Sequence, residues 1–153
     1  MPVRTTSVAG DRITILLDGN DTQGAYSVME ITLPPGGGTP PHVHHREDEA
    51  FMLVAGEVTF YCGGEVHVRR AGEYIFGARD IPHHYTNTGG TDAIMIMTAT
   101  PAGVENFFES VGTALSSRTA PPVPLTPEGI GRIVALAPQY GIEILPPPSP
   151  AAV

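Results

Sequence analysis

The residues best suited to chemistry lie in Pro40-Pro41-His42-Val43-His44-His45-Arg46-Glu47-Asp48-Glu49-Ala50-Phe51. On an extended strand, side chains two positions apart face the same way, so His42 and His44 can aim both imidazoles at one point. That is the start of a chelate. A carboxylate from the next strand would complete a two-histidine, one-carboxylate face, which leaves coordination positions open for water, oxygen or a substrate. Glu47, Asp48 and Glu49 compete for that role. Glu49 is preferred because it shares strand parity with Phe51 and Leu53, which are expected to look inward. Asp48 would point the other way, and Glu47 would fall in the connecting loop.

Composition narrows the chemistry further. The chain has 153 residues, eight arginines, no lysine, 16 acidic residues and a net charge of −8. The arginines are scattered, so nucleic acid is not an expected partner. Without lysine there is no Schiff base, no phosphate-loop lysine and no buried amine base. Cys62 is the only cysteine, which rules out an internal disulfide and any multi-cysteine metal site within one chain. A metal here must rely on histidine and carboxylate. Met1–Leu17 shows no basic segment leading into a long apolar run, and about 18 uninterrupted apolar residues occur nowhere. The expectation is a soluble, cytoplasmic protein with no membrane partner.

The elements that must position these residues read as short strands cut by glycine, proline and aspartate. They are expected near 12–18, 24–33, 41–45, 49–62, 65–70, 73–77, 82–88 and 92–100, with turns at Asp18-Gly19-Asn20-Asp21, Gly63-Gly64 and Gly89-Gly90. In Met29-Glu30-Ile31-Thr32-Leu33 and Val66-His67-Val68 apolar and polar residues alternate, as strands with one buried face require. His67 is therefore expected to face solvent.

Beyond Pro101 the period changes. Val104, Phe107, Phe108, Val111 and Leu115 form a helical stripe. A second helix is expected over about 127–140, with Thr126 as N-cap, Pro127 in the first turn, a face of Ile130, Ile133, Val134 and Ala137, and Gly141 at its end. Pro138 should fray its last turn. The division expected is 1–115, an all-β barrel with the first helix, and 116–153, a proline-rich linker, second helix and flexible tail packed on the same domain.

Gly36, five residues, His42-Val43-His44, four residues, Glu49, six residues, Gly56 resembles the first motif of the cupin superfamily. Gly72, Ala78, Asp80, His83 and Asn87 resemble the second, with alanine where proline is usual and aspartate where glycine is usual. The resemblance implies a single jelly-roll barrel in which His42, His44, Glu49 and His83 hold one divalent transition metal, with Asn87 structural. His83 and Tyr85 share one parity on their strand, which agrees with an inward imidazole. Three imidazoles and one carboxylate suit Fe, Mn, Ni, Co, Cu or Zn alike.

The stretch from Pro41 to Phe51, with Glu105-Asn106-Phe107-Phe108 and Tyr140-Gly141 in the tail, is similar to small one-domain cupins related to quercetin 2,3-dioxygenase. That likeness implies a dioxygenase acting on an oxygen-rich aromatic or enol small molecule, with Glu49 as metal ligand and catalytic base. The alternatives are a non-redox cupin isomerase, lyase or sugar-modifying enzyme, and a non-catalytic small-molecule binder. Phe51, Leu53, Tyr74 and Phe76 are core candidates that could also line a substrate pocket, as are Tyr85, Met95 and Met97. Phe107 and Phe108 would pack or form a lid. His45 and His84, each one residue from a ligand position, should face away from the site. Because related barrels often pair through their N-terminal strands, a homodimer is expected.

Overall fold

A computed structural model describes residues 4–147. The flexible tail expected at the end of the chain falls largely outside the described residues. Two sheets face each other. One has seven strands in the order β11-β1-β2-β3-β10-β5-β8, built from β1 (Arg4–Val8), β2 (Asp11–Leu17), β3 (Ser27–Leu33), β5 (Asp48–Ala55), β8 (Tyr74–Gly77), β10 (Ala93–Thr100) and β11 (Thr113–Ala114). The other has five in the order β12-β4-β9-β6-β7, from β4 (His42–His44), β6 (Glu57–Cys62), β7 (Glu65–Arg70), β9 (His83–Asn87) and β12 (Ile142–Ile144). Every pairing is antiparallel. This is a cupin jelly roll with two short helices, the all-β class expected.

The core lies between the sheets. Met29, Ile31 and Leu33 of β3 are fully buried, as their alternation predicts, and so are Leu53, Met95 and Met97 on the neighbouring strands. Phe51, Phe60 and Tyr85 meet from both sheets in tilted and edge-on contacts, with ring centroids 5.3 to 5.6 Å apart. Aromatic contacts at such offsets add to the burial of the rings themselves.

Four local expectations are corrected. Residues 49–62 are two strands, split at Gly56 so that β5 and β6 belong to different sheets. Gly56 has φ +79, and a Cβ there would lie 2.8 Å from the Ala93 Cα, so only glycine lets the chain cross between the sheets. Tyr74 and Phe76 are not core: they are 66% and 61% exposed. In the β5–β8 register Phe51 faces Ile75 and Glu49 faces Gly77, which leaves Tyr74 and Phe76 beside Met52 and Ala50 on the outer face. Val66 and Val68 likewise face solvent while His67 is half-buried, the reverse of the expectation, because β7 is an edge strand packed mainly through β6.

The fourth correction concerns the helices. α1 (Val104–Val111) stops at Gly112, before Leu115, and the chain turns at once into β11, which pairs with β1. In α2 (Pro127–Leu136) the Thr126 hydroxyl accepts the Gly129 N–H at 3.1 Å and Pro127 opens the helix, as expected. Its packed side, however, carries Ile133 and Leu136 and leads to Ala137, whereas Ile130 and Val134 are exposed. At Pro138 the helix tightens into a 3-10 turn over Ala137–Tyr140, and Gly141 at φ +70 ends it. β12 then runs back beside β4, so the segment after residue 116 supplies a strand to the barrel. Among the described residues no helix is long and apolar enough to cross a membrane.

Candidate metal centre

β4 is only three residues long and lies between β12 and β9. His42 pairs across to His83 of β9, so two imidazoles from neighbouring strands start at the same height. His44, two residues on, keeps the same face. Glu49 comes from the opposite sheet, near the start of β5, paired with Gly77 of β8, where a Cβ would already touch the rings of Phe51 and His83. The four side chains are buried, and each offers a ligand atom within 4.8 Å of all the others. The His42 ring centroid lies 4.9 Å from that of His44 and 4.4 Å from that of His83. Glu49 Oε1 is 3.1 Å from His44 Nε2, and Glu49 Oε2 is 3.0 Å from His83 Nε2.

The donor set fits a divalent cation. The Nδ1–H groups of His42 and His83 donate to the Pro40 and Ile81 carbonyls at 2.9 and 3.1 Å, which leaves each Nε2 for the cluster. Burial, reinforced by the neighbouring imidazoles, pushes His42 down to about 3, so that ring is neutral and its lone pair free. For Glu49 burial acts to raise the pKa, but His44, His83 and His42 together outweigh it and bring the carboxyl to about 2. For His44 burial acts downward and the Glu49 and Glu47 carboxylates reverse it, raising the group.

The turn before His83 explains the aspartate at a glycine position of the second motif. Asp80 adopts φ +66, a left-handed conformation that aspartate tolerates better than most residues. Its carboxylate lies 2.7 Å from His45 Nδ1, and Glu143 of β12 lies 3.0 Å from His45 Nε2. His45 is thus an exposed clamp between two elements. His84 stacks on Tyr61 with ring centroids 4.4 Å apart, away from the cluster. Asn87 bridges a turn, donating to the Leu33 and Thr91 carbonyls and accepting from the Gly89 N–H.

A cavity of about 70 Å³ opens against the cluster. Of the residues expected to line a pocket, Phe51, Tyr85, Met97, Phe107 and Phe108 do so, while Leu53 and Met95 are core and Tyr74 and Phe76 lie outside. The wall that sequence reasoning missed comes from Val8 and Ala9 of the first hairpin, Ile133 of α2, and Ile142 and Ile144 of β12. The alternation Ile142-Glu143-Ile144 was a readable strand signal. Nothing in the sequence placed that strand beside His42 and His44. Glu47 was also missed: it lies in the β4–β5 loop as expected, yet it is buried next to His44.

Residues 29–99 match the cupin domain family, in agreement with the jelly-roll fold. Oxalate oxidase 1 of Hordeum vulgare is 33% identical over 88 residues, covering 52% of this chain and 43% of that protein. Germin-like protein 3-5 of Oryza sativa subsp. japonica is 34% identical over 88 residues, covering 52% of this chain and 38% of that protein. The chain thus spans about two fifths of the length of these curated relatives. Among solved structures, a predicted oxalate decarboxylase from Thermotoga maritima aligns with a TM-score of 0.58 at 23% identity, over 66% of this chain and 93% of that one. Recombinant oxalate oxidase in complex with glycolate aligns with a TM-score of 0.52 at 30% identity, over 61% of this chain and 52% of that one.

Proposed function

We propose that this cupin is a metal-dependent dioxygenase acting on a small enol or oxygen-rich aromatic molecule, in the manner of the quercetinase-like cupins. The observation that carries the reading is the buried convergence of His42, His44, Glu49 and His83 on a cavity with apolar walls. A bound divalent ion would supply Lewis acidity, favouring the deprotonated form of a substrate hydroxyl. Glu49 takes that proton. Its two oxygens face different imidazoles, so one can turn toward the substrate while the other stays in the cluster. Phe51, Tyr85 and Phe107 keep bulk water from the reacting face, and Phe108 and Ile133 close the outer side.

The relatives named for oxalate offer a second reading, oxidation of a small dicarboxylate. The pocket argues against it, because no arginine lines the cavity and the chain has no lysine. A dianion would be taken out of water with only the metal to balance it, which is costly. At about 70 Å³ the space is also smaller than the ~150 Å³ that accepts a benzene ring. Small enols and diketones therefore fit first, and any aromatic substrate, phenol or flavonol, requires Phe108 and Ile133 to move outward. The reading includes a homodimer, supported by the exposed Tyr74 and Phe76 on edge strand β8.

Elemental analysis of freshly purified protein, combined with an oxygen electrode over diketones, phenols, flavonols and oxalate, tests the proposal. The expected result is about one transition-metal ion per chain and oxygen uptake with an enol or phenol. His83→Ala should lose most of the metal. Glu49→Gln should retain part of the metal and lose at least ~100-fold in rate, the scale of a general base. Full metal in His83→Ala removes the centre. Turnover of an enol without oxygen uptake would instead favour a non-redox isomerase or lyase.

A further inference from the structure

Each imidazole in the cluster must turn one ring nitrogen toward the common point, and the partner of the other nitrogen holds it there. For His42 and His83 that partner is a main-chain carbonyl two residues upstream. His44 has no such carbonyl. Its Nδ1 faces Glu47 Oε2 at 3.5 Å, and neither buried atom has a hydrogen-bond partner elsewhere. Glu47 is itself only 3% exposed, although carboxylates are rarely buried without a counter-charge. Among the described residues its only ion-pair contact is His44.

Two features follow from that placement. At 3.5 Å the contact is at the outer limit of a hydrogen bond, so a small rotation of either side chain makes or loses it. The charge count is equally direct: a divalent ion and the Glu49 carboxylate alone leave one positive charge buried, and a second carboxylate brings the cluster to zero. Burying a neutral group of charges costs far less than burying a net charge.

We infer that Glu47 is the positioning residue of His44: it accepts the Nδ1–H, fixes Nε2 toward the cluster and supplies the charge that neutralises a bound divalent ion. The inference rests on the metal-centre reading above. By polarising the imidazole it makes His44 a stronger donor than His42 or His83, whose acceptors are neutral. The sequence feature responsible is the acid three residues after the second histidine, in a loop short enough to fold back onto it.

The test uses the full-length protein stripped with a chelator and titrated with cobalt(II) against a competing chromophoric chelator. Glu47→Gln should weaken cobalt(II) binding by ~10–100-fold, the usual effect of losing an outer-shell partner of a metal ligand, and should change the visible cobalt(II) spectrum. Glu47→Asp, which keeps the charge, should recover part of the affinity. Thermal denaturation of the metal-free Glu47→Gln protein should show little loss relative to the parent, since the variant removes a buried carboxylate held by a single long contact. An affinity within threefold of the parent with an unchanged spectrum overturns the role of Glu47 alone. Failure of the parent to bind cobalt(II) overturns the metal centre, and this inference with it.

Discussion

At the scale of single residues, Asp11 is a second place where burial and charge conflict. It follows the β1–β2 turn, is 4% exposed, and its Oδ1 has no hydrogen-bond partner. Burial raises its pKa from 3.8 to about 8. Because the folded value lies above the unfolded one, the folded chain holds a proton that the unfolded chain has released between those pH values. The stability from this group is therefore fully present below about pH 4 and is lost as the pH climbs through about 8. Asp11→Asn should raise the melting temperature by several degrees at pH 8.5 and leave it nearly unchanged at pH 4. Paired thermal scans of parent and variant at the two values check this, and an equal shift at both would show that the carboxyl is not the cause.

At the scale of elements, the helices after residue 100 decide the shape of the pocket. α2 has no fully buried side chain, so its stability depends on its cap more than a core helix would. The Thr126 hydroxyl holds the Gly129 N–H. Thr126→Ala should cost about 1 kcal/mol, seen as faster amide exchange through α2 and a lower melting temperature. Because Ile133 reaches the cavity from this helix, the same variant should loosen the outer wall. Unchanged exchange over residues 127–136 would count against the cap.

At the scale of the whole molecule, the outer face bears Val54, Val66, Val68, Tyr74 and Phe76, all exposed on or next to edge strands β7 and β8. Apolar side chains along an unpaired edge favour association. Light scattering should give twice the 16.1 kDa chain mass, and Phe76→Glu should shift the population toward monomer at micromolar concentration. A parent that elutes as a monomer at all concentrations removes the dimer from the proposed function.

Much of the site was legible in the sequence because its spacing follows strand geometry. The i, i+2 relation placed His42 and His44 on one face, and shared parity with Phe51 and Leu53 selected Glu49 over Asp48. Tyr74 and Phe76 were expected in the core only because small barrels fill their interiors with large side chains, and that expectation failed. In Tyr74-Ile75-Phe76-Gly77 both candidate faces are apolar or featureless, so local pattern could not say which looks inward. Only the pairing of Gly77 with Glu49 and of Ile75 with Phe51 settled it. By itself the sequence determined the barrel class, the ligand strand and the cap of α2, each of which depends on residues close together along the chain. The tertiary structure decided which residues wall the cavity, where β12 returns, and that Glu47 lies against His44, because those contacts join distant segments whose register no local period encodes.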